Sequence, residues 1–408
     1  MVNESRVATR VSKPESAGPS QIDSLDGLRA AAAVMVLTTH VAFHTGLVTR
    51  PIVGPLTSRL DFGVCLFFFL SGFLLYRPWA LAAQGDRPVP SVRAYLRKRW
   101  ARVYPAYVVV VVVVLGWYPP SATSDVDVWV RYLTFTQIYA PGYERQGLTQ
   151  MWSLALEVAF YLALPIIAHV ATRRRGQRSV VRQSAVLGAM VLVAVAFNVL
   201  RAWTDWLPDD IAGYWLPAHL DWFAGGMLLA LVSVSVAGDQ PRPRWFDRLT
   251  GLAGDWGTWL IVAGCAFLLA ATPLAGPLTP FDPDFAWYTT GPWHVVIKPL
   301  LYGVCAFALM VPLTLESAAN PYARALSGPG IRWLGRISYG IFLWHLVLLG
   351  AISSALGIAV FSGWFWLLWP LTLASTVAVA WVSWSLLERR LIRWSTRNRP
   401  SPGVHRST

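Results

Sequence analysis

LDGLRAAAAVMVLTTH occupies residues 25–40. A small, apolar run follows Arg29 and continues past His40 to about residue 48. Residues 28–48 therefore supply the ~20 apolar residues that a helix needs to cross a ~30 Å hydrocarbon layer. Nine further stretches read the same way, near 62–83, 103–118, 151–170, 184–200, 217–236, 256–274, 294–315, 335–355 and 363–387. The third is the shortest, but its run of seven valines fits no other setting. The sequence thus predicts an all-α polytopic membrane helix bundle of about ten transmembrane helices.

Composition agrees. Hydrophobic residues make up 55% of the 408, and charged residues only 13%, about half the usual soluble share. Mean hydropathy is +0.47. The 22 tryptophans suit the headgroup zone, where an amphipathic ring has a wet and a dry side. The net charge of +13 would suggest nucleic acid in a soluble protein. Here its placement argues otherwise. With the N-terminus inside and ten spans, 27 of the 34 Lys and Arg fall in inside segments and six outside, with Arg77 in the second span. That is the positive-inside pattern. It predicts both termini in the cytoplasm of a plasma-membrane protein that contacts lipid and not nucleic acid. Residues 1–20 read as a disordered cytoplasmic arm, 21–390 as one membrane domain, and 391–408 as a basic tail along anionic headgroups. Cys65, Cys265 and Cys305 lie in apolar stretches and read as small core residues.

Ionisable groups inside a bilayer are costly and mark function by default. Arg29 and His40 are eleven residues apart. A helix rises ~16.5 Å over that distance and turns ~20° past three full turns, so both project from one face. A cation at the inner mouth and an imidazole deep in the layer suit a long donor with an anionic head and a reactive tip. The alternative is an anchoring Arg and a packing His. The Ala and Val residues between them let a helix or ligand approach closely.

Glu157, in QMWSLALEVAFY, reaches a depth similar to His40 when counted from the other side. A carboxylate there would fix the imidazole tautomer and favour its charged form, or simply tie two helices together. Ser71-Gly72 permits close helix contact; Ser71 as a nucleophile is the alternative. Arg97, Lys98, Arg99 and Arg102 precede a third helix whose first turn would hold Pro105. Arginine forks suit phosphate, and lipid headgroups would satisfy them too. Asp221 follows His219 near the outer face. Arg336 and His345 repeat the Arg-then-His arrangement in the ninth span. His40 and His44 are one turn apart, a spacing that can bind a metal or haem, but no second such pair occurs in a facing span, and there is no zinc spacing, phosphate loop or dinucleotide fingerprint.

Taken together these pieces resemble the acyltransferase 3 family, the multi-spanning membrane O-acyltransferases of sugars and macrolides. The matching residues are LDGLRA, the Arg29–His40 pair, FFFLSGFLL, Arg99 and Arg102 with Pro105, WSLALEVAFYLALP, LGRISYGIFLWH and Glu388. They run from residue 24 to about 390. Three positions depart from the family pattern: His219 where Arg is frequent, Val-Ala after Glu157, and Arg389-Arg390 after Glu388. Acceptor contacts are therefore not carried over. The resemblance implies an O-acyl product and a cytoplasmic acyl-CoA co-substrate, usually acetyl-CoA, with no bound cofactor.

The resulting expectation assigns Arg29, Arg99 and Arg102 to donor phosphates, His40 to proton abstraction and Glu157 to orienting His40. Ser71, Trp152, Ser153, Asp221, Tyr339 and His345 are acceptor-side or supporting candidates. The acceptor would be a hydroxyl of a sugar, glycolipid, surface glycan or glycosylated natural product. The rival reading is a proton-coupled transporter or flippase. Broken helices or an inverted repeat would favour it, and the sequence displays neither.

Overall fold

The computed structural model describes residues 21–397, apart from 86, 174–176, 205, 239–241, 277–292 and 317–319. The described residues form helices and connecting turns, with no strand among them. Ten principal helices follow in order: α1 Gln21–His44, α2 Gly63–Gln84, α3 Val92–Trp117, α4 Met151–Thr172 and α5 Gln177–Trp203. Then come α6 Leu220–Ala237, α7 Trp256–Ala270, α8 His294–Thr314, α9 Pro329–Ala355 and α10 Phe365–Ser383. All of these but α7 belong to the nine described spans long and apolar enough to cross a membrane. The predicted arm 1–20 and the tail beyond 397 lie outside the described residues.

The seventh predicted span is where the structure differs most. Helix α7 has 15 residues and is preceded by a short helix, Arg244–Ala253, bent 95° from it. Counted together they make a tenth span. The break has a local cause: Asp255 caps α7, accepting from Thr258 N at 3.3 Å and Thr258 Oγ1 at 2.6 Å. The sequence reading anticipated no broken helix. None of residues 244–270 lines either of the two central cavities described below.

Helix α3 also differs. It starts at Val92, not near 103, so Pro105 is an interior residue rather than a first-turn one. Ser91 caps the start, accepting from Ala94 N. Arg and Lys are good helix formers, so the basic run extends the helix instead of ending it. Against α3 packs a short basic helix, Arg389–Arg397. It follows a π turn over Trp384–Glu388, in which Glu388 is buried. Of the cysteines, Cys65 and Cys305 are buried as expected, whereas Cys265 is exposed.

Two packings position the site. The apolar face of α1 (Ala33, Leu37, Val41) meets Ile337, Ile341 and Leu349 of α9. The small residues after Arg29 thus admit a helix. The second is α2 against α6, where Phe223 is stacked between Phe68 at 4.7 Å and Phe160 at 3.9 Å. Gly72 and Gly226 bring these backbones together: a Cβ on either would overlap the carbonyl of Phe223 or Phe69, respectively. Gly226→Val is therefore expected to cost about 1–3 kcal/mol by overpacking. A detergent melting curve matching wild type would contradict this contact.

Candidate active site

The crossing of α1 and α9 brings two imidazoles together. His345 Nε2 lies 3.2 Å from His40 Nδ1, with ring centroids 5.0 Å apart. His40 Nδ1 also lies 2.7 Å from the carbonyl of Val36, and His345 Nδ1 lies 2.8 Å from that of Phe342. A carbonyl only accepts, so each Nδ1 carries the proton. His40 Nδ1–H is then shared between Val36 O and the lone pair of His345 Nε2. The remaining nitrogen of His40, Nε2, is unprotonated.

His40 lines a cavity of about 750 Å³ at the end of the bundle where α1 finishes and α4 and α8 begin. Trp152, Gln150, Tyr214, Asp61 and Lys298 share its wall. Asp61 accepts from Lys298 Nζ at 2.7 Å and from the Tyr302 hydroxyl. Arg59, two residues earlier, donates to the carbonyls of Ala270, Ala275 and Gly276 at 2.8, 3.3 and 3.0 Å. Those bonds hold the Arg59–Phe62 turn, and with it Asp61, against the end of α7.

A second cavity, of about 50 Å³, lies among Arg29, Arg102, Ser153, Glu157, Tyr161 and Tyr339. Arg99 is three residues from Arg102 on the same helix face, and both act electrostatically on Tyr161. Among the described residues, the buried Nε atoms of Arg29 and Arg99 have no hydrogen-bond partner, nor does the Tyr95 hydroxyl. Such groups are costly unless something accepts from them. Tyr339 donates to Val103 O at 2.7 Å, and Ser153 to Gln150 O at 3.1 Å. The Arg332–Asp23 ion pair, at 2.7 Å, fixes the start of α1 beside that of α9.

The expected contact between Glu157 and His40 is not formed. Glu157 instead accepts a hydrogen bond from Ser71 and faces the small cavity. Equal depth sets height, not direction. Trp152 and Glu157 are five residues apart, a turn of ~140° beyond one full revolution, so Trp152 faces the large cavity and Glu157 the small one. Ser71 is thereby a partner of Glu157. Asp221 lines neither cavity, and its buried Oδ1 has no hydrogen-bond partner.

Asp61 and Lys298 were missed from sequence. The signal was present: Lys298 lies inside the eighth predicted span, and a cation there demands a counter-charge. Gln150 and Gln137 had no such signal, because neutral amides in loops are unremarkable until buried.

The fold and these two cavities define a multi-spanning membrane protein with a pair of imidazoles near one end and a cluster of arginines near the other. Residues 22–388 match the family model described as an acyltransferase domain. The chain belongs to the acyltransferase 3 family, and it is a membrane acyltransferase. It is 25% identical over 405 residues to nodulation protein 10 of Rhizobium leguminosarum bv. viciae, covering 92% of this chain and 94% of that protein. It is 25% identical over 389 residues to the peptidoglycan O-acetyltransferase OatA of Listeria monocytogenes, covering 90% of this chain but 55% of that one. It is 27% identical over 352 residues to the exopolysaccharide production protein ExoZ of Rhizobium meliloti, covering 84% of this chain and 92% of the relative. No solved structure matches.

Proposed function

We propose that this enzyme moves an acyl group, acetyl in the first instance, from acyl-CoA onto a hydroxyl of a sugar or glycan. The acceptor sits in the large cavity. His40 Nε2 takes the hydroxyl proton as the oxygen bonds to the thioester carbonyl. The C–S bond breaks, and the departing thiolate takes that proton from the imidazolium, leaving CoA thiol and an ester. The observation that carries this reading is the His40–Val36–His345 arrangement, which keeps the proton on Nδ1 and frees Nε2. Such a base contributes about 10²–10⁴-fold. Arg29, Arg99 and Arg102 receive the donor's phosphates, in keeping with the unmet Nε donors of Arg29 and Arg99 and the place of Arg102 beside Arg29 on the small cavity. Glu157, held by Ser71, balances these cations. The family's acyltransferase character, and the glycan-related names of two relatives, support a glycan acceptor.

The excess of basic residues at the arginine end supports its placement in the cytoplasm, with both termini there and the chain in the plasma membrane. Of the carboxylates on that cavity wall, Asp61 and Glu144, the one that acts electrostatically on His40 is Asp61. Asp61→Asn would remove that charge and leave Lys298 uncompensated. It is expected to lower kcat roughly tenfold, about 1.4 kcal/mol of barrier, with part recovered in an Asp61→Asn/Lys298→Met double variant. An unchanged kcat in the single variant would remove Asp61 from the mechanism.

The function itself is tested by mass spectrometry of envelope glycolipids, glycans and secreted metabolites from a null strain with and without the restored gene. A species heavier by one acyl group only in the restored strain is expected. Identical profiles, with the protein present in the membrane, would count against acyl transfer.

A further inference from the structure

We infer that the acceptor carries at least two sugar units, and that Gln137 reads the unit next to the one acylated. The inference rests on the acyl-transfer reading above. The large cavity does not end at Trp152. Beyond it lies another of about 350 Å³, and the two share Glu144, Thr149, Trp152 and Tyr214. The rings of Trp152 and Tyr214 are 5.2 Å apart and inclined by 39°. Each cavity alone falls in the ~300–1,000 Å³ range of ligand sites. An aromatic wall between them offers apolar faces to the C–H side of a sugar ring on either hand.

The polar atoms identify the ligand chemistry. Gln150 lines the large cavity; its Nε2 donates to the carbonyls of Gly147 and Leu343 at 3.3 and 3.1 Å. Gln137 lines the adjoining one; its Nε2 donates to Met151 O at 3.4 Å. Because carbonyls only accept, both amides are oriented with their nitrogens committed. Both Oε1 atoms are buried and have no hydrogen-bond partner among the described residues. The residues are 3% and 8% exposed, so each amide is fixed in the cavity wall. A buried acceptor left unmet is costly, and a hydroxyl donor in each cavity would remove that cost. A lipid tail would leave both oxygens unmet. A single sugar ring would leave one. A chain of hydroxyl-bearing rings passing the Trp152–Tyr214 wall satisfies both.

The test uses the full-length protein in the null strain. Acylated species are identified by tandem mass spectrometry and quantified for wild type, Gln137→Leu and Ala140→Trp, at matched protein levels in the membrane. Gln137→Leu removes the acceptor oxygen, and with it the long Nε2 bond to Met151 O, with a side chain of similar size. Ala140 lines the adjoining cavity, and a tryptophan there fills it. The expected product is an acylated sugar joined to at least one further sugar, and each variant lowers its yield about tenfold. An acylated single ring or non-sugar, or undiminished product from both variants, overturns the inference while leaving acyl transfer standing. No acylated species from wild type would overturn the acyl-transfer reading and this inference with it.

Discussion

His40→Ala is expected to lower the rate of transfer by about 10²–10⁴-fold at saturating donor, the range spanned by general bases. The protein should remain in the membrane and keep its melting temperature to within a few degrees. Among the described residues, the ring of His40 bonds to the Val36 carbonyl of its own helix and to His345, so its removal strands no buried charge there. His345→Phe should be milder. It takes away one of two acceptors for Nδ1–H, but the Val36 carbonyl still holds the tautomer. A roughly tenfold loss, about 1.4 kcal/mol, is expected there. Purified variants in nanodiscs, assayed for CoA release with the acceptor found by mass spectrometry, distinguish the two. Near-normal turnover in His40→Ala would mean that another group removes the proton.

The second large effect concerns Arg29→Gln. Charge-assisted hydrogen bonds contribute about 1.5–3 kcal/mol, and Arg29 is expected to make at least one to the donor. KM for acyl-CoA should rise by about 10², with a smaller change in kcat. Stability should move in the opposite direction to activity. Arg29 is a buried charge that feels the like charge of Arg102 and the opposite charges of Glu157 and Asp26, so neutralising it relieves burial and repulsion while two carboxylates lose an attraction. A raised or unchanged melting temperature beside a raised KM is the signature of a binding residue. If the variant instead melts early and binds donor normally, Arg29 belongs to the scaffold.

Much of the fold was legible in the sequence, and for a stated reason. Crossing the bilayer takes about 20 apolar residues, and that requirement is written into each span. It fails where local chemistry interrupts a span: the Asp255 cap divides the seventh. It fails again where polar residues continue a helix, as the basic residues before 103 do in α3. The site was legible only within single helices. Arg29 and His40 share a face of α1 by periodicity alone. The pairing of His40 with His345, rather than Glu157, depends on how α1 and α9 cross, and depth along a helix does not determine that. Asp61, Gln137 and Gln150 sit on connecting segments, and chain direction there has no period to read.

The π turn at Trp384–Glu388 has a consequence for how this fold can vary. A π turn holds one residue more than an α turn. The extra residue is taken up within that one turn, so deleting it would restore α geometry and leave the Arg389–Arg397 helix in its place against α3. The same deletion within a regular α stretch would turn everything after it by ~100°. The π turn is therefore a point at which chain length can differ by one residue between members with the same core, while the basic helix keeps its seat on the bundle.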